Sequence, residues 1–260
     1  MASLGESNQV RERLREVLAK VRAAATRAGR SPEEVAITAV TKTVSPARIR
    51  DYVSSAYALG IAPVIGESYL NEFSRKVEFL GSGEGESLEK RYIGTLSASQ
   101  LPRIWRLFDV IETIGDLKTI DACAAQLNKS RGVRSPRLLI QVNISEDPAK
   151  AGFFPSALPL ALRCAKERGV PIAGFMTITE RYDSGEYEGR DVQGGVRGDY
   201  RALAELVGRL REDEEFSSAP FQTSATELSM GMSNDFEVAI EEGATHVRLG
   251  SVLFGERPAR

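Results

Sequence analysis

Residues 228–255 read LSMGMSNDFEVAIEEGATHVRLGSVLFG, and the order of elements in that stretch decides the fold. A strand end runs into a loop of small residues, a short helix follows, and a second strand leads into another glycine turn. Ser229, Gly231 and Ser233 are small enough to let backbone amides approach a ligand closely, and Asn234 with Glu237 carries an N-cap signature for the helix behind them. Unpaired N–H groups at a helix start, with the positive end of its dipole, favour an anion such as a phosphate. Residues 245–249 form the second strand, which ends in Arg248, Gly250 and Ser251, a further amide-rich turn. Two such turns after consecutive strands are what the loops behind strands seven and eight of a (β/α)8 barrel supply.

The rest of the chain repeats that alternation. Val10, Leu14, Val17, Leu18 and Val21 recur at helical spacing, so residues 8–28 form an extra opening helix that Gly29 stops. Residues 35–40 are a continuous apolar run of strand length, followed by Thr41 and Lys42, with Ser45-Pro46 opening the next helix over 47–59. Further strands are expected at 62–65, 91–94, 110–114, 136–143, 171–176 and 226–230, with Gly66-Glu67-Ser68-Tyr69 as the turn after the second. The helices between them include 117–127, 155–168, 201–210 and 236–242. Residues 81–87 are a polar glycine loop, and 180–199, rich in glycine, charge and tyrosine, reads as a long loop that could gate a pocket. Eight strands alternating with helices, with no internal repeat or linker, predict one domain over 1–260, a single (β/α)8 TIM barrel with an extra N-terminal helix.

Composition narrows the partners. The chain of 260 residues suits one large domain, 42% apolar content supports a sizeable core, and a net charge of −2 argues against nucleic acid or an anionic membrane. No apolar run reaches the roughly 18 residues of a membrane span, and the N-terminus carries no apolar signal core, so a cytoplasmic protein is expected. Cys123 and Cys164 read as reduced, core-facing thiols. His246 is the only histidine, so a histidine metal site is not expected, and His246 itself reads as a strand-packing residue.

Barrel closure makes strands one and eight neighbours, so Lys42 and Arg248 open onto one mouth beside the anion turns. An amine at the end of an apolar strand is desolvated, which lowers its pKa and raises its neutral, nucleophilic fraction. A lysine, an arginine and an anion cradle in one pocket together suit pyridoxal 5′-phosphate (PLP), held as a Schiff base on Lys42.

Six segments carry a resemblance: AVTKTVSP at 39–46, IGESYLNEF at 65–73, YIGTLSAS at 92–99, LLIQVNISEDPAKAGF at 138–153, GFMTI at 174–178, and residues 228–257. Together they resemble the PLP homeostasis proteins, also called the proline synthase co-transcribed or YggS-like family, which are similar to the N-terminal barrel of alanine racemase. The resemblance implies that Lys42 binds PLP, that Arg248 meets the pyridine nitrogen, and that Ser229, Gly250 and Ser251 hold the phosphate with Met230 and Ser233 as neighbours. It also implies no catalytic residues, intracellular PLP homeostasis, and transient delivery to PLP-dependent apo-enzymes. Ser68 stands where the family commonly has asparagine, and Arg91 stands in place of a histidine expected to line the pocket. Lys150 is either a transient phosphate contact or a surface lysine.

The alternative is a PLP-dependent amino acid racemase. A two-base racemase needs a second acid/base, which alanine racemases take from a C-terminal domain of a partner subunit; this chain ends ten residues after Gly250 (260 − 250), so that domain is not expected. Tyr69 and Tyr92 are the remaining base candidates. A monomer that binds PLP without strong catalytic activity is the expectation.

Overall fold

The computed structural model describes residues 4–80, 88–130, 132, 134–179, 192–216 and 227–256. Its strands close into one parallel barrel in sequence order: β1 (Ala36–Val40), β2 (Val64–Glu67), β3 (Glu89–Tyr92), β4 (Val110–Ile114), β5 (Arg137–Val142), β6 (Gly174–Thr177), β7 (Glu227–Ser229) and β8 (His246–Leu249). The helices are α1 (Leu4–Arg27), α2 (Pro46–Ala58), α3 (Leu70–Leu80), α4 (Leu101–Leu107), α5 (Leu117–Lys129), α6 (Leu158–Glu167), α7 (Val192–Glu212), α8 (Phe236–Glu241) and α9 (Ser251–Phe254). This is the expected (β/α)8 barrel preceded by an extra helix. Val10, Leu14, Val17 and Val21 form the buried stripe of α1, which packs on α2, α8 and α9 and so covers the seam where β8 meets β1.

The seam is in register. Ala36 pairs with His246, Thr38 with Arg248 and Ala39 with Leu249, so the C-terminal ends of β1 and β8 lie side by side. The residues that follow each strand, 41–43 and 250–251, therefore emerge at the same rim of the barrel, the end at which parallel α/β barrels carry their ligands.

Several elements depart from expectation, among them the sixth strand, which starts at Gly174 rather than 171. The second strand starts two residues later than 62–65 and carries on through Gly66 and Glu67, which were expected as a turn; a Cβ on Gly66 would stand 2.9 Å from Thr38 Cγ2, so glycine suits that close strand contact. The third strand is Glu89–Tyr92 rather than 91–94. Of the stretch read as loop over 180–199, residues 180–191 lie outside the described residues and 192–199 belong to α7. The residue at the N-cap position of the helix after β7 is Asp235 rather than Asn234; its carboxylate accepts from Met232 N at 2.6 Å, in the turn before the helix, and makes no cap bond to the helix. The 81–87 loop also lies outside the described residues. Cys123 is buried, as expected, whereas Cys164 is only partly covered.

The shift of β3 has a physical cause. Glu89, Lys90 and Arg91 look wrong for a buried strand, yet Arg91 is 0% exposed. Its guanidinium pairs with Glu112 on β4, donates from Nη2 to Glu227 Oε2 at 2.7 Å, and donates from Nη1 to Glu89 Oε1 at 2.6 Å. Glu227 sits on β7, four strands round the barrel, so that contact crosses the interior. Burial works against the charge, but Glu112, Glu227 and Glu89 outweigh it and hold Arg91 above the ordinary arginine value. A buried cation matched by surrounding carboxylates can occupy a strand that hydropathy alone would refuse.

Candidate functional site at the C-terminal rim

The ion cluster continues upward to the rim. Glu112 Oε2 accepts from Ser229 Oγ at 2.6 Å, and Ser229 Oγ in turn accepts from Arg248 Nη1 at 2.9 Å. Arg248 also donates from Nη1 to Ser229 O and from Nη2 to Thr177 O, each at 2.6 Å. With 5% exposure, Arg248 is held by the ends of β6 and β7 as well as by its own strand. A planar guanidinium fixed at three acceptors has one orientation available to it.

Ser229 is wholly buried beneath Arg248, with its hydroxyl proton given to Glu112 and its oxygen facing the guanidinium. In this geometry its hydroxyl and carbonyl both hold Arg248. Met230 is likewise buried in the core, and its backbone N–H closes the barrel on His246 O at 3.0 Å. Ser233, Gly250 and Ser251 lie nearer the surface. Gly250 N donates to Ser233 Oγ at 3.4 Å, which links the turn after β7 to the turn after β8. Since α8 has six residues and α9 four, their dipoles are short. The anion-binding capacity of this corner therefore rests on local amides and hydroxyls more than on helix length. Asp235 borders the same corner, and burial pushes its carboxyl above the ordinary range.

Lys42 follows Thr41, two residues beyond the end of β1, and is half-buried. The register that pairs Thr38 with Arg248 makes β1 the neighbour of β8, so this lysine follows the strand adjacent to that of the arginine. The β2–α3 and β3–α4 loops border a cavity of about 450 Å³ lined by Ser68, Tyr69, Asn71, Tyr92, Thr95 and Gln100. Ser68, one of the two departures from the resembled family, thus contributes to a wall. Arg91, the other, does not line it; the arginine lies inside the barrel among carboxylates.

The tyrosines differ in availability. Tyr92 is 2% exposed, donates to Thr95 O at 2.9 Å, and burial raises its phenol, all of which work against a base near neutral pH. Tyr69 is 43% exposed. His246 is half-buried with Nδ1 beside Thr245 Oγ1 at 3.1 Å, and burial followed by Arg91 lowers it well below the ordinary histidine range, so it stands as a neutral strand residue. Lys150 Nζ approaches Ser145 Oγ at 3.3 Å on the β5–α6 loop. Thr177, which accepts from Arg248, and Glu112, which accepts from Ser229 beneath it, were missed by the sequence reading. An acid in the middle of the apolar run VIETI was the available signal for Glu112. No helix among the described residues is long and apolar enough to cross a membrane.

Comparison with known proteins is concordant along the chain. The family described as alanine racemase, N-terminal domain, matches over residues 12–258. A pyridoxal phosphate homeostasis protein of Aquifex aeolicus is 33% identical over 247 residues, covering 95% of this chain and 97% of that one. The protein of the same name from Escherichia coli is 30% identical over 253 residues, covering 96% and 97%. Among solved structures, PipY of Synechococcus elongatus without PLP superposes with a TM-score of 0.72 at 25% identity, covering 95% of this chain and 100% of PipY. The structure of PipY with PLP bound gives 0.69 at 23%.

Proposed function

The chain belongs to the alanine racemase N-terminal domain family, alongside the pyridoxal phosphate homeostasis proteins, and from that premise we propose that it binds PLP at the C-terminal rim and serves intracellular PLP homeostasis. The observation that carries the reading is the β1–β8 register, which sets Lys42 and the immobilised Arg248 at the same end of adjacent strands. The donor set fits the cofactor: an amine on one side, a guanidinium aimed from below, and the Ser233, Gly250 and Ser251 turn as an anion cradle. When bound, PLP supplies an aldehyde that condenses reversibly with a primary amine, forming a C=N bond and releasing one water.

In this reading Lys42 provides that amine as a Schiff base partner. Arg248 donates a hydrogen bond to the ring nitrogen, since a guanidinium does not give up its proton. Ser229, Glu112 and Thr177 keep the arginine pointed, and the Ser233, Gly250 and Ser251 donors take the phosphate. Met230 supports them from the core. An arginine donor leaves the ring nitrogen unprotonated and the ring a weak electron sink, which disfavours deep carbanion chemistry. Tyr92, fixed to Thr95 O, adds no base to change that. The protein is accordingly a carrier that delivers PLP to apo-enzymes through transient contact, cytoplasmic and monomeric, rather than an amino acid racemase.

The test is spectroscopic. Addition of PLP to purified protein is expected to produce a visible absorption band absent from PLP alone, and incubation of the loaded protein with L-alanine is expected to give no racemisation above a Lys42→Ala control. Absence of the band removes the cofactor assignment. Turnover of the amino acid moves the protein to the racemases.

A further inference from the structure

We propose that Lys76 is a positioning residue that holds the Lys42 segment in the conformation that captures an aldehyde; the inference rests on the cofactor reading above. Lys76 lies on α3 and is 6% exposed, a setting in which lysine occurs only when its charge is matched. Its ammonium donates to Thr41 O at 2.7 Å and to Glu67 Oε1 at 2.9 Å, and pairs with Glu72 Oε1 at 2.5 Å. Those contacts use the three N–H donors of an ammonium, so Lys76 functions as a bracket.

Both acids of the cluster reach back to the Lys42 segment. Glu67 Oε1 accepts from Thr41 Oγ1 at 2.8 Å, and Glu72 Oε1 accepts from Thr43 N at 2.6 Å. The residues immediately before and after Lys42 are therefore each tied to Lys76 or to one of its carboxylates. Thr43 also has φ of 65°, a left-handed conformation that a β-branched residue adopts only where its surroundings over-determine it. The hydrogen bond from its amide to Glu72 is a direct cause of that constraint. Covalent capture requires the amine within reach and in line with a carbonyl carbon held elsewhere by ring and phosphate contacts, so a small displacement of the segment slows it disproportionately.

Glu67 explains why the bracket needs a cation. It is 0% exposed, and among the described residues its Oε2 has no hydrogen-bond partner. Burial pushes its carboxyl up, while Lys76 works in the opposite direction. Without Lys76, that buried carboxyl loses the cation opposing its burial, Thr41 O keeps only Val44 N as a donor, at 3.0 Å, and Glu72 loses the pairing that directs it at Thr43.

Two probes separate positioning from mere folding: PLP, and pyridoxine 5′-phosphate, which has the ring and phosphate but an alcohol in place of the aldehyde. In Lys76→Met the rate at which PLP becomes borohydride-trappable at residue 42 is expected to fall about tenfold or more, because the reacting groups are misplaced. Its affinity for pyridoxine 5′-phosphate is expected to match that of the unmodified protein. Equal rates in the two proteins, or parallel weakening for both probes, would overturn the inference. Should Lys76→Met not fold, Glu72→Ala, which removes the Thr43 acceptor at a partly exposed site, is expected to show the same split to a smaller degree, and parallel weakening there overturns it as well. Unmodified protein that takes up neither probe overturns the cofactor reading and this inference together, a result distinct from the others.

Discussion

Lys42→Ala is expected to reduce borohydride-trapped PLP from one per chain to background. The substitution removes the amine and leaves the rest of the rim in place: Arg248 stays fixed by Ser229 and Thr177, and Gly250 stays linked to Ser233. Reversible binding of the phosphate and ring therefore persists while covalent capture is lost. The two are distinguished by reducing one sample with borohydride before dialysis and dialysing a second without reduction. Trapping at the unsubstituted level in Lys42→Ala would remove Lys42 from the account, whereas loss of all binding, covalent and reversible, would mean that the arginine and the two turns contribute little by themselves.

Arg91→Met is expected to lower the free energy of unfolding by about 3–5 kcal/mol, the range for removing one partner of a buried ion pair. Methionine fills much of the volume but leaves Glu112, 0% exposed, without its cation, and deprives Glu227 and Glu89 of a shared partner. The damage should reach the rim, because Glu112 also accepts the Ser229 hydroxyl that underlies Arg248. Equilibrium denaturation reads the loss. A loss under about 1 kcal/mol would show that the charges of the cluster are not what holds it.

The same residues explain which parts of the molecule were legible in the sequence. Residues 36–40 are a short, largely apolar strand followed by a lysine segment, and 246–249 a short strand carrying Arg248 and followed by a Gly250-Ser251 turn, so strand, boundary and rim position could be read together. Barrel closure then followed from the strand count, and with it the pairing of β1 with β8. β3 was misplaced because EKRY contradicts hydropathy; its partners Glu112 and Glu227 come from β4 and β7, and nothing local announces that a charge will be matched across a barrel. Residues 192–199 contain glycines that suggest a loop, yet they open a 21-residue helix whose buried Val196, Tyr200 and Leu203 supply the apolar stripe. The link between Ser229 and the neighbouring arginine shows a different limit, since small residues in a turn indicate only that something approaches closely. Lys76 and Glu67 were invisible for the related reason that a lysine on an amphipathic helix ordinarily faces solvent, and its burial depends on where the β1–α2 segment passes.

The central claim is that the Lys42 amine faces a cofactor held by Arg248 and the two linked turns. Its most direct test is to reduce the PLP-loaded protein with borohydride, digest it and locate the added pyridoxyl phosphate mass by peptide sequencing. The account predicts one modified site, on the peptide containing Lys42. A label on Lys76, Lys150 or any other lysine, or an unmodified digest, would contradict it.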